Sequence, residues 1–150
     1  LGTGRSPGPG FEAWRAYAPA QPDPDVAALM RRACPQLTAG EAAAYGAPFP
    51  DARFKGGVRR FPELVPTRPD MPGVETSLAA LEFLSGEWRG SAFMAIGMTD
   101  PVLGEPVMRA LQRGGGGGGG GLLLPEAGHF VQEWGAPVAR AALDHFGLGG

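Results

Sequence analysis

One cysteine in 150 residues, Cys34, excludes an internal disulfide and fits a reducing compartment. No apolar run approaches the ~20 residues of a membrane span. The opening LGTGRSPGPG has no charged-then-apolar leader pattern, so the expected location is cytoplasmic. It also lacks an initiator methionine, as a piece of a longer protein would. Neither sign of charge dominates: the net charge of −2 favours neither nucleic acid nor an anionic membrane as partner. Lysine is nearly absent, with Lys55 alone against many arginines, which reads as coding bias. No cofactor or metal is expected.

What is present suffices for one domain with a core, since 43% of the residues are hydrophobic. Phe93, Met94, Ala95 and Ile96 form a continuous apolar run, the pattern of a strand buried on both faces. It breaks at Gly97, and Asp100 follows with Pro101 closing the turn. A second run, Leu122–Leu124, leads through Pro125–Gly128 to His129. The 29 positions between Asp100 and His129 suit a strand, loop, helix and next strand. Parallel neighbours would carry both side chains to the edge where open α/β sheets keep their chemistry.

Upstream the chain is helical and punctuated by proline. Leu1–Gly10 is too rich in Gly and Pro for regular structure. Phe11–Ala18 is a short helix with Phe11 and Trp14 on one face, broken by Pro19, Pro22 and Pro24. Asp25–Cys34 is a second helix, started by Asp23 or Asp25 and ended by Pro35, with Val26, Leu29, Met30 and Ala33 apolar. Thr38 and Glu41 have capping-box spacing and open a third helix to about Tyr45. Ala47–Pro50 reads as a rigid extended link. Asp51–Val65 carries Phe54, Val58, Phe61 and Val65 on one face, bent or ended near Pro62.

Pro66–Gly73 is loop, and Thr76–Trp88 is a helix with Leu78, Leu81, Leu84 and Trp88 on one side. After Asp100, Glu105–Arg113 is a helix with Val107, Met108 and Leu111 inward. The last helix, Phe130–Phe146, buries Val131, Trp134, Val138, Ala142 and Phe146. A helical unit joined to part of an α/β sheet is the resulting fold class. Gly114–Gly121 is eight consecutive glycines, a flexible link whose ordering entropy no packed element repays. It satisfies a dinucleotide-binding glycine pattern trivially and carries no such meaning.

Gly4-Arg-Ser6-Pro-Gly8 matches G-x-S-x-G, the nucleophile turn of serine α/β-hydrolases. The residue after the nucleophile must donate its backbone N–H to the oxyanion, and Pro7 has none. Ser6 is therefore set aside. Other readings compete at the remaining positions: His129 as a structural histidine, Asp100 as a turn former before proline, Trp14 as a core aromatic. Trp88 and Trp134 read as packing, His145 as a surface cation at a helix end, Cys34 as a small buried group, and Arg59 and Arg60 as a solvated face.

Phe11-Glu-Ala-Trp14, Ala47-Pro-Phe-Pro-Asp51, Gly57-Val-Arg-Arg-Phe-Pro62, Phe93-Met-Ala-Ile-Gly97 with Asp100, and Gly128-His-Phe-Val-Gln-Glu133 together resemble the carboxyl-terminal half of haloalkane dehalogenases. The resemblance runs from about Phe11 to Phe146. It implies a partial α/β-hydrolase fold, in which residues 1–10 leave the core sheet and 11–75 form a helical cap. Residues 76–150 would then be the carboxyl-terminal part of the core, with its last two parallel strands and their helices.

The resemblance also implies roles. In that family an aspartate displaces halide from an alkyl carbon, and a histidine-activated water hydrolyses the resulting ester. His129 matches the base and Asp100 the acid that orients it. Trp14 matches a halide-binding cap tryptophan, and Phe11 a cap aromatic of the substrate pocket. The implied partners are a small halogenated hydrocarbon, a halide ion and water. The residue types suit these tasks: an imidazole takes a proton from water, a carboxylate fixes its tautomer, and an indole N–H only donates. No segment here matches the family's nucleophile, its second halide-binding tryptophan or its oxyanion loop. The missing amino-terminal half would be needed, and these residues alone are expected to be inactive. An epoxide hydrolase is the nearest enzyme alternative, with Tyr17 and Tyr45 the available phenols; a non-catalytic remnant is the other.

Overall fold

The computed structural model describes residues 2–114 and 120–149. It divides the chain into two compact units, one of residues 8–65 and one of residues 1–7 with 66–150.

The first unit is helical. Helix α1 (Pro9–Ala20) starts on a proline, whose fixed φ and missing N–H suit a first turn. Pro19 does not break it. The proline costs the helix the one bond its N–H would have made to the preceding turn, and the helix ends one residue later. Pro9 and Gly10, read as irregular, belong to this helix. Asp25 caps α2 (Val26–Ala33) by accepting the Ala28 N–H at 2.9 Å. Thr38 and Glu41 form the expected box at the start of α3 (Ala39–Gly46). The Thr38 backbone amide, then its hydroxyl, bond the Glu41 carboxylate and hold its pKa below the usual range.

Ala47–Pro50 is a turn and not an extended link. Ala47 stays in helical geometry with its N–H on the Ala43 carbonyl, and Phe49 N–H reaches the Gly46 carbonyl. These bonds override the extended preference of residues before proline. The segment 51–65 is likewise interrupted. Asp51 captures the Arg53 backbone N–H and guanidinium, making a short 3₁₀ turn over Ala52–Phe54 before α4 (Gly56–Leu64). The break shifts the phase of the helical face. Phe54 and Phe61 are therefore exposed, while Lys55 and Pro62 are buried. Lys55 Nζ donates to Asp23 Oδ1 at 2.6 Å. Arg60 is exposed, but Arg59 is half-buried, and its Nε lacks a partner among the described residues. Phe11, Ala18, Met30, Cys34, Leu37 and Ala42 are the buried apolar residues of this unit.

The second unit holds the sheet. Helix α5 (Val74–Gly86) begins after Gly73, whose φ of 89° lies in the left-handed region. Strand β1 (Met94–Gly97) pairs in parallel with β2 (Gly121–Leu124), Ile96 opposite Leu123, as the two apolar runs predict. Helix α6 (Glu105–Gly114) supplies the crossover that a parallel pair requires. Of the glycine tract, Gly114 closes α6 and Gly121 opens β2; the expectation of a flexible link at 115–119 lies outside the described residues. A 3₁₀ turn, Val131–Trp134, then precedes α7 (Gly135–His145).

Ile96 and Leu124 are buried, together with Val74 and Ala127. The inward set expected of the last helix is only half-buried, and Phe146 is exposed. Leu78, Leu84 and Trp88 of the α5 stripe are exposed as well. Periodicity marks a face; burial also needs something packed against it, and these stripes are only partly covered among the described residues. His145 is half-buried and not at the surface. It packs against Phe93 and Phe146, and its Nε2 is buried without a partner among the described residues.

Candidate active site

The ends of β1 and β2 carry the chemistry. Past Gly97 the chain turns at once, with Asp100 N–H on the Gly97 carbonyl, and past Leu124 it turns through Ala127 N–H on the Leu124 carbonyl. The two turns are also bonded to each other: Met98 N–H donates to Leu124 O and Thr99 N–H to Ala127 O, both at 3.0 Å. Two residues, named in advance from opposite sides of a crossover helix, are thereby delivered to one edge.

They touch. His129 Nδ1 lies 2.9 Å from Asp100 Oδ2. The other carboxylate oxygen, Oδ1, accepts the Val102 backbone N–H at 2.7 Å, so neither oxygen of Asp100 is free to rotate away. The environments differ in a useful way: the Asp100 side chain is 6% exposed and the His129 side chain 42%. A buried carboxylate bonded to Nδ1 selects the tautomer with hydrogen on that nitrogen. His129 Nε2 then presents its lone pair, with no partner among the described residues. Phe130 stands edge-on to the imidazole at 5.2 Å. Nearby, Leu124, Pro125, Glu126 and Trp134 line a shallow cleft of about 190 Å³.

Trp14 and Phe11 lie on α1, in the other unit. Phe11 is buried; Trp14 is half-buried, its ring 5.7 Å from that of Tyr17, which in turn sits under the Arg32 guanidinium. The Trp14 indole N–H has no acceptor among the described residues. Those residues also contain no cluster of three or more His, Cys, Asp or Glu that could hold a metal ion. Ser6 is exposed and lies on irregular chain, and no strand precedes it among the described residues. Sequence reasoning passed over Thr99: a polar residue beside a candidate acid carries no pattern, and its bond to Ala127 exists only once the sheet has formed.

No family model matches the chain. Its likeness to individual proteins is clear. Over 134 residues it is 38% identical to haloalkane dehalogenase 1 of Mycobacterium bovis, covering 87% of this chain and 43% of that protein. A haloalkane dehalogenase of Psychrobacter cryohalolentis is 33% identical over 129 residues, 84% of this chain and 42% of the relative. Among solved structures, the tetrameric haloalkane dehalogenase DpaA of Paraglaciecola agarilytica NO2 superposes with a TM-score of 0.88 at 41% identity. The chain is homologous to haloalkane dehalogenases. It spans less than half the length of these relatives and corresponds to their carboxyl-terminal part. The two parallel strands and surrounding helices are accordingly a part of the α/β-hydrolase fold. Asp100 and His129 follow the carboxyl ends of the two strands, the edge where open α/β sheets bind ligands.

Proposed function

We propose that these residues carry the general base, its orienting acid and one halide-binding donor of a hydrolase that cleaves carbon–halogen bonds. The reaction consumes a small haloalkane and water and gives an alcohol, a halide ion and a proton. A carboxylate attacks the halogen-bearing carbon; the carbon–halogen bond breaks as an ester bond forms, and halide leaves with the electron pair. His129 Nε2 then takes a proton from water, and the hydroxide attacks the ester carbonyl carbon. Collapse of that intermediate regenerates the carboxylate and frees the alcohol. Asp100 steadies the imidazolium formed in this step. Trp14, through its indole N–H, helps hold the halide, and Phe11 lines the pocket. Residues 11–75 serve as the helical cap of such a hydrolase.

One observation carries this reading: the 2.9 Å bond from His129 Nδ1 to a buried, doubly engaged Asp100, which leaves Nε2 for water. The nucleophile is not among these residues, so the 150-residue chain by itself is inactive and works with an amino-terminal half that bears it. Cys34, buried and the single cysteine of the sequence, agrees with a cytoplasmic site of action. The test is to supply the nucleophile-bearing half of a relative, fused or as a second chain, and measure halide release from 1,2-dihaloethanes. Restored release is expected. His129→Ala should then accumulate the alkyl ester, visible as a mass increase on the intact protein. Halide release by the 150 residues alone would refute the division of labour.

A further inference from the structure

The pair Asp100–His129 is held from behind by a third residue. Thr99 Oγ1 donates to the Ala127 carbonyl oxygen at 2.9 Å, and the Thr99 backbone N–H donates to that same oxygen at 3.0 Å. Thr99 precedes the acid directly. Ala127 precedes the base by two residues, with Gly128 between. Beyond the Met98–Leu124 bond the two loops are therefore tied twice more, once by the carboxylate–imidazole bond and once, closer to the strands, by a carbonyl accepting two hydrogen bonds. Both groups of the second tie are well placed to matter. Ala127 is fully buried, so its carbonyl depends on protein partners, and Gly128 has no side chain to fix the path to His129.

We propose that Thr99 is a positioning residue for the reaction proposed above: its hydroxyl, through Ala127, sets the approach of His129 to Asp100. The inference rests on that functional reading. Past the bonds at Leu124, the Thr99 N–H alone on the Ala127 carbonyl would leave the segment leading to His129 able to hinge about that one bond. The second donor, from a side chain rooted beside Asp100, removes that freedom and makes the spacing of acid and base a property of the loop pair. Misplacing a reacting group by about 1 Å costs on the order of a hundredfold in rate. A smaller displacement, with the backbone bond intact, should cost about tenfold.

The test separates the hydroxyl from the fold. Thr99→Val keeps the branched shape and the backbone N–H but removes the side-chain donor; Thr99→Ser restores it. The chain contains two histidines, so protein labelled with ¹⁵N-histidine gives two ring systems, and His129→Gln tells them apart. Magic-angle-spinning spectra can be read even from associated protein. In the unmodified chain we expect His129 protonated at Nδ1 with a far-downfield N–H proton, the mark of a carboxylate partner. Thr99→Val should lose or broaden that resonance and Thr99→Ser should keep it. His145 should be unchanged throughout, which a general loss of structure would not allow. Should Thr99→Val fail to fold, Thr99→Ala is read in its place. An unaltered His129 resonance in the folded Thr99 variant overturns this inference alone. Absence of the carboxylate-bonded proton in the unmodified chain overturns the inference together with the acid–base reading. With the nucleophile half supplied, Thr99→Val should slow ester hydrolysis about tenfold while the initial halide burst is unchanged; equal hydrolysis rates would also overturn the inference.

Discussion

Gly97 and Gly128 meet so closely that no side chain fits at position 97. A Cβ built there would overlap the Gly128 carbonyl oxygen and lie 2.8 Å from that of Ala127. The atoms in the way are backbone, which cannot swing aside as a flexible side chain would. Gly97→Ala should therefore push the His129 loop off β1 and destabilise the unit by about 1–3 kcal/mol, the usual cost of overpacking. Urea unfolding followed by circular dichroism measures this; a midpoint equal to that of the parent would show that the loop yields freely.

Asp100→Asn keeps the size of the side chain but can donate to Nδ1, which favours the tautomer with hydrogen on Nε2. In the enzyme completed with its nucleophile half, kcat should fall roughly a thousandfold or more, by analogy with the serine-protease triad. Ester hydrolysis should become the slow step, so the alkyl-enzyme accumulates. Rapid-quench mass analysis reads it. A uniform rise in KM with unchanged kcat would place Asp100 outside the chemistry.

The helix caps of the first unit can be tested without any substrate. Asp25→Ala removes the acceptor for Ala28 N–H and should cost about 1 kcal/mol. Glu41 adds a pH signature. Its folded-state pKa lies below the ordinary glutamate range, so its charged form is the bonded one, and its contribution is complete above that range. It fades as pH falls through the lowered folded value. Thermal melts of the parent and Glu41→Ala should therefore differ at neutral pH and converge under acid conditions. A constant difference would mean that the charge of Glu41 is irrelevant to the cap.

Leu78, Phe83, Leu84 and Trp88 lie exposed on or just past α5, and Phe146 and Leu148 lie exposed beyond α7. Apolar surface of this kind drives association in water. The 150-residue chain should elute as oligomers or aggregates, and replacing Leu78 and Leu84 by Glu should shift it toward monomer. Light scattering across a tenfold concentration range decides. A monodisperse monomer at all concentrations would show that these side chains cover one another in solution.

Legibility from sequence tracked how local the cause was. Asp25, one of two aspartates that spacing offered, and the Thr38–Glu41 box act within one helical turn, and both caps are formed. The strands were legible for a different reason: two short apolar runs flanking a crossover length leave few alternatives to a parallel pair. Asp100 and His129 could be named because a strand end is a position, and they meet at 2.9 Å. What escaped depends on competition between neighbours. Ala47 stays helical because its N–H still reaches Ala43, a bond that outweighs the proline after it. Phe54 and Phe61 share a helical face only if the helix is unbroken, and Asp51 breaks it by seizing the Arg53 N–H. Thr99 was invisible because its partner lies 28 positions away.

The lysine count, read first as a matter of coding, takes on another meaning beside the Lys55–Asp23 ion pair. The only side-chain amine in these 150 residues is 9% exposed and held by a carboxylate. An amine-directed reagent meets no other ε-amino group here, and it meets this one only when the helical unit of residues 8–65 opens. Lys55 is thus a built-in reporter: its rate of acylation counts openings of that unit one at a time. No label needs to be engineered into the molecule for the opening of that unit to be followed.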